Sequence, residues 1–114
     1  MLFRIDGNME LVEPAIKSFC EMAESEWKKQ MPDARNKLKN LKLPLPVQIG
    51  NPDQILPDEM LFVHWRDGNS MMMRIPFSVP MQRVFNLPKR KARMNLEGFL
   101  KAQNIKAKVS YVGD

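Results

Sequence analysis

The stretch that most limits how this chain can fold is residues 60–77, where two apolar runs flank Asp67-Gly68-Asn69-Ser70. An Asp-Gly turn between apolar runs is the strongest short-range signal of a β-hairpin. Alternation puts Leu61, Val63 and Trp65 on one face and Phe62, His64 and Arg66 on the other. Both faces begin apolar, which predicts a place at the centre of a sheet.

A second Asp-Gly, in Asp6-Gly7-Asn8, lies between the apolar residues 2–5 and 9–12 and predicts an N-terminal hairpin. The competing arrangement starts the first helix at Met9. It puts Pro14 inside that helix, where the ring and the missing N–H cost ~3 kcal/mol. Placing Pro14 in the first turn avoids the conflict. From there to about Met31, Ile16, Phe19, Cys20, Ala23, Trp27 and Met31 recur at steps of three and four, one face of a helix. Glu13–Lys17, Lys17–Glu21 and Glu24–Lys28 pair at i,i+4 on the other face.

Pro32-Asp33 predicts a break and a second, basic helix over residues 33–41. Residues 43–59 hold four prolines and read as an extended connection lying along the core, with an edge strand near residues 47–49. A short helix is expected over residues 80–86, ended by Leu87-Pro88. The run Lys89-Arg90-Lys91-Ala92-Arg93 then precedes a last helix capped by Asn95 and running to about Asn104, with Leu96, Phe99 and Leu100 as its stripe. Residues 105–112 alternate as a terminal strand. At 114 residues the chain supports one core, hence a single domain over residues 1–114. The fold class is α+β: a small antiparallel sheet (N-terminal hairpin, central hairpin, C-terminal strand) packed against two to four helices.

One cysteine, Cys20, and one histidine, His64, exclude a disulfide scaffold and a zinc finger, and no metal site or cofactor is expected. The five glycines stand far apart, so no phosphate-cradling glycine loop is present. Threonine is absent and no serine or cysteine is spaced to pair with His64. His64 with Arg66 and Asp67 is therefore read as structural, Cys20 as a small buried hydrophobe, and the protein as a non-enzyme. The opening residues build no signal-peptide core, and no apolar run approaches the ~20 residues of a membrane helix. A cytoplasmic protein without membrane contact is expected.

Charge is uneven. Residues 1–27 carry six acidic and two basic side chains, residues 28–42 six basic and one acidic, and residues 83–108 eight basic and one acidic. Such blocks are the electrostatic footprint of a surface that meets phosphates or an acidic protein. The expected function is a small basic protein binding nucleic acid, DNA or RNA, mainly through phosphates. Lys89, Arg90, Lys91, Arg93, Lys106 and Lys108 are its candidate contacts, with Lys37, Lys39 and Lys42 as an extension. Against this stands a solvated loop that happens to be basic.

Ten methionines, three of them consecutive at Met71-Met72-Met73, support an alternative. Adaptable thioethers suit a surface that repacks on a partner, and equally fill gaps in a core. With Trp65 these methionines would anchor a protein–protein interaction module or inhibitor on an acidic protein or nucleoprotein surface, steered by the basic rim. Self-association through an exposed strand edge is also open to such a chain.

Overall fold

The computed structural model describes residues 1–40, 60–84 and 86–113. In chain order these form β1 (Leu2–Gly7), α1 (Met9–Asn40), β2 (Val63–Asp67), β3 (Ser70–Arg74), α2 (Val79–Val84), α3 (Lys89–Ala102) and β4 (Ala107–Gly113). The four strands make one antiparallel sheet in the order β2-β3-β1-β4. With α2 set aside, strand–helix–strand–strand–helix–strand with β1 and β3 inside is the split βαβ, or ferredoxin-like, connectivity. That connectivity hosts many functions and assigns none. The α+β class and the antiparallel sheet are as expected.

Register decides what each face carries. Phe3 lies opposite Met73 and Tyr111, and Ile5 opposite Met71 and Val109. These side chains meet Val12, Ile16 and Cys20 of α1 and Leu96 and Leu100 of α3 in one buried cluster. Both long helices therefore cover the same face. Phe3, Ile5 and Met73 are fully buried, each worth about 1.5–3 kcal/mol by removal from water. The other face carries the cross-strand row Trp65, Met72, Arg4 and Ser110.

The N-terminal hairpin does not form. Residues 9–12 are the first turn of α1, and β1 pairs instead with β3 and β4. Asn8 is the reason: its Oδ1 accepts from the Glu10 amide at 3.1 Å, and its carbonyl accepts from Val12 at 2.9 Å. A side-chain cap of this kind turns the chain into a helix where Asp-Gly alone promises a hairpin. Gly7 is needed for a different purpose. A Cβ there would lie 2.9 Å from the Lys106 carbonyl oxygen and 3.2 Å from Val12 Cγ2.

Pro14 and Pro32 both lie inside α1, which runs unbroken where two helices were expected. Each proline removes one donor, and the carbonyls that lose it belong to the exposed residues Glu10 and Lys28. Burial on either side outweighs that loss. Val12, Ala15 and Ile16 bracket Pro14 in the main core. Trp27, Met31 and Ala34 bracket Pro32 in a second cluster with Met60 and Met81. The prolonged helix carries Lys37 and Lys39 on its last turns. Lys42, the connection over residues 43–59 with its expected strand, and Phe85 lie outside the described residues.

The predicted hairpin at residues 60–77 is present, its turn at Gly68-Asn69 with Gly68 at φ +60°. Only β3 is central; β2 is an edge strand. Asn95 caps nothing, because α3 begins six residues earlier at Lys89, entered through Pro88 at φ −67° and ψ 163°. No helix among the described residues is long and apolar enough to cross a membrane.

Candidate nucleic-acid interface

The basic run at residues 89–93 is not a loop. It forms the first turns of α3, held down by Ala92, Leu96 and Leu100 on the buried side. The first helical hydrogen bond runs from the Ala92 amide to the Pro88 carbonyl at 3.0 Å, so the amides of Lys89, Arg90 and Lys91 precede it. Proline offers no side-chain cap, and none is made. Three amide donors, the positive end of the helix dipole and four cationic side chains thus converge on one turn.

Electrostatically this arrangement opposes folding. Cations at a helix N-terminus cost roughly 0.3–1 kcal/mol each, and the first turn of α3 has no acidic residue. Two of the four are partly compensated. Lys89 Nζ lies 4.6 Å from the centre of the Tyr111 ring, and Arg93 Nε lies 3.7 Å from Glu97 Oε1. Arg90 and Lys91 are exposed and, among the described residues, make no ion pair. Arg83 lies in the last turn of α2, one tight turn earlier. From Arg83 to Arg93 there are five basic residues and no acid.

Lys106 and Lys108 do not join this cluster. Lys89 reaches the far end of β4 at Tyr111, and α3 runs back about 21 Å before the chain turns into that strand. Lys108 then lies opposite Asp6, on the sheet face that the helices leave open. The six candidate contacts divide into four at one end of α3 and two at the other.

The methionine run divides by alternation. Met71 and Met73 are buried under the helices; Met72 is on the other face beside Trp65, but it too is buried, 6% exposed against 39% for Trp65. Val63 continues that exposed line on the edge strand, and Leu61 extends it just before the strand begins. A partner can reach Trp65 but none of Met71, Met72 and Met73 in the folded protein, so the methionine run is not the expected anchor. His64 lies opposite Met73 on the helix side, and its neighbour Arg66 pairs with Glu13 of α1 at 3.8 Å. Cys20 is buried; burial first, then the carboxylates of Glu24 and Glu21, push its pKa up to about 11. That thiol is a poor nucleophile at neutral pH.

A feature with no local sequence signal adjoins the cationic turn. Between α1 and α3 opens a cavity of about 300 Å³, walled by Trp27, Phe62 and Phe77. Trp27 and Phe77 lie 5.7 Å apart at 54°, and Phe62 and Phe77 6.3 Å apart at 83°. Phe62 is fixed to α1 by its amide, which donates to Glu24 Oε1 at 3.0 Å. Glu26, Gln30 and Asn95 add polar groups to the lining. These residues come from separate segments, so only the fold brings them together.

No protein-family model matches the chain. Neither a curated protein nor a solved structure matches it.

Proposed function

We propose that this protein binds nucleic acid non-enzymatically through phosphate contacts, in the cytoplasm, with the first turns of α3 as the main contact. One observation carries the reading: Lys89, Arg90, Lys91 and Arg93 crowd the positive end of a helix without an acidic residue in its first turn. Selection for stability alone would place acids there. An anion on the open amides and side chains converts the unfavourable field into a binding one. The contacts are to phosphate, so affinity depends on salt much more than on sequence.

Fluorescence anisotropy of labelled oligonucleotides at several salt concentrations tests this. Four neutralised phosphates give a log–log salt slope of about −3 on single strands. Arg90→Glu with Lys91→Glu should reduce the slope by about half and weaken binding at least tenfold at low salt. Unchanged binding in that variant removes the α3 turn from the interface.

A second reading is favoured by the exposed line of Val63 and Trp65 on β2 with Leu61 just before it. An apolar stripe along an edge strand, with Arg4, Arg74 and Lys108 on the same sheet face, suits docking on an acidic protein surface or self-association. Light scattering after gel filtration, with Trp65→Ser as the comparison, tests self-association. A single monomeric mass at high concentration rules it out.

A further inference from the structure

We propose that the aromatic cavity between α1 and α3 receives one unpaired nucleobase of a bound single strand, with the adjoining phosphate seated on Lys91 and the uncapped amides of the first turn of α3. This inference rests on the nucleic-acid reading above and adds what that reading lacks, a reason to prefer unpaired bases.

The cavity and the cations share one helix. Ala92 and Asn95 line the cavity, and Lys91 stands one turn before Asn95, on the same side of α3 by i,i+4 spacing. Lys91 is therefore on the cavity side of α3, next to the uncapped amides, while Arg90 points round the helix away from it. A base inside and its phosphate outside match that division between apolar wall and cationic lip. On the α1 side Glu26 and Lys29 pair with each other at 3.7 Å, so the cation at the rim without an ion pair among the described residues is Lys91 on α3.

Volume and chemistry agree. About 300 Å³ accommodates a single base, and Trp27, Phe62 and Phe77 give it aromatic walls. Stacking on such rings is worth about tenfold in affinity per base and is tolerant of sequence. The rim carries the groups that read base edges: an amide pairs with adenine, and a carboxylate accepts from the cytosine amino group. Gln30 and Glu26 are already held together, Gln30 Nε2 donating to Glu26 Oε2 at 3.4 Å, with Lys29 Nζ 3.7 Å from Glu26 Oε1. A purely apolar ligand would use the walls and leave the rim and the cations without purpose.

The chain has two tryptophans, and Trp65 lies on the opposite face of the sheet, so Trp65→Phe makes Trp27 the sole reporter. That protein is titrated with a labelled single-stranded oligonucleotide, the matching blunt duplex and a mononucleotide. Anisotropy and Trp27 emission are read together. Expected are quenching of Trp27 with the midpoint of the anisotropy curve, and single-strand affinity about tenfold above duplex. Ala23→Phe, which fills the cavity from α1, and Asn95→Leu, at an exposed rim position, should each abolish that preference while duplex binding persists. Circular dichroism confirms that either variant is folded.

Strand binding without any change in Trp27 emission, or an unchanged single-to-double-strand ratio in both folded variants, overturns the cavity assignment and leaves the phosphate reading standing. Binding of neither form at low salt overturns both. A mononucleotide as tight as the strand shows a nucleotide pocket and overturns the strand.

Discussion

Replacing Arg90 and Lys91 with glutamate should stabilise the fold while it weakens nucleic-acid binding. Both side chains are exposed and without an ion pair among the described residues, so their removal breaks no contact. Each now faces the positive end of α3, at a cost of roughly 0.3–1 kcal/mol, and a carboxylate there gains a similar amount. For two residues, allowing for solvent screening, the sum is about 1–2 kcal/mol at low ionic strength. In a domain of this size each kcal/mol moves Tm by about 4 °C, so a rise of about 4–8 °C is expected. The assay is thermal unfolding by circular dichroism at low salt and again near 1 M. The gain should shrink at high salt, where the Debye length falls to about 3 Å. A Tm that drops at low salt, or a gain insensitive to salt, refutes the view that these cations strain the helix. A variant that is more stable yet binds more weakly separates the two roles of one turn.

Three further substitutions probe the rest of the architecture. Gly7→Ala forces a Cβ to within 2.9 Å of the Lys106 carbonyl, and should cost about 1–3 kcal/mol in urea unfolding; a loss under 0.5 kcal/mol would mean that the β1–α1 junction sits further from β4. Met73→Ala empties a fully buried site and should cost about 2–5 kcal/mol, whereas Trp65→Ser on the open face should cost far less; comparable losses would contradict the division of faces. Cys20 holds its proton in the folded protein to about pH 11 but loses it near 9.0 when unfolded. The unfolded state is then the one that sheds the proton first, so stability falls as pH rises from 9 to 11, by up to about 2–3 kcal/mol. Cys20→Ala should remove that part of the pH dependence, and identical slopes in both proteins would show that the thiol is not protected.

Legibility in the sequence tracked whether one signal acted alone. The 60–77 hairpin, the terminal strand and the apolar stripes of α1 and α3 depend on alternation or helical periodicity within a single segment, and they are where they were expected. Asp6-Gly7-Asn8 carried two signals at once, a turn dipeptide and a helix cap, and the cap won because Val12 and Ile16 had a core to reach. Pro14 and Pro32 show the same override. A proline penalty of ~3 kcal/mol is a local quantity, while the burial of Trp27, Met31 and Ala34 against Met60 and Met81 is decided by residues far away in the chain. For the candidate site, the cationic residues could be named but not their arrangement, since nothing local says that Lys106 and Lys108 end a helix length away from Lys89. The cavity was illegible altogether. Trp27 reads as an ordinary core residue on a helical stripe, and its companions Phe62 and Phe77 flank a hairpin 35 residues or more further on.

Recasting the basic run from loop to helix changes what it can do. A lysine-rich loop must be ordered when it binds, at roughly 1–2 kcal/mol of backbone entropy per residue. On α3 that ordering is already complete, because Ala92, Leu96 and Leu100 anchor the helix to the sheet. The positions of the cations relative to the cavity are fixed by the same packing, Lys91 and Asn95 being one turn apart on one rigid element. Loosening the anchor should therefore reduce affinity even with all four cations retained. Leu96→Ala empties a fully buried site in the middle of α3 and touches none of the charged residues. If the cluster works as a preorganised surface, that variant, still folded at low temperature, binds more weakly with an unchanged salt slope. Equal affinity would mean that charge alone, wherever it hangs, accounts for binding.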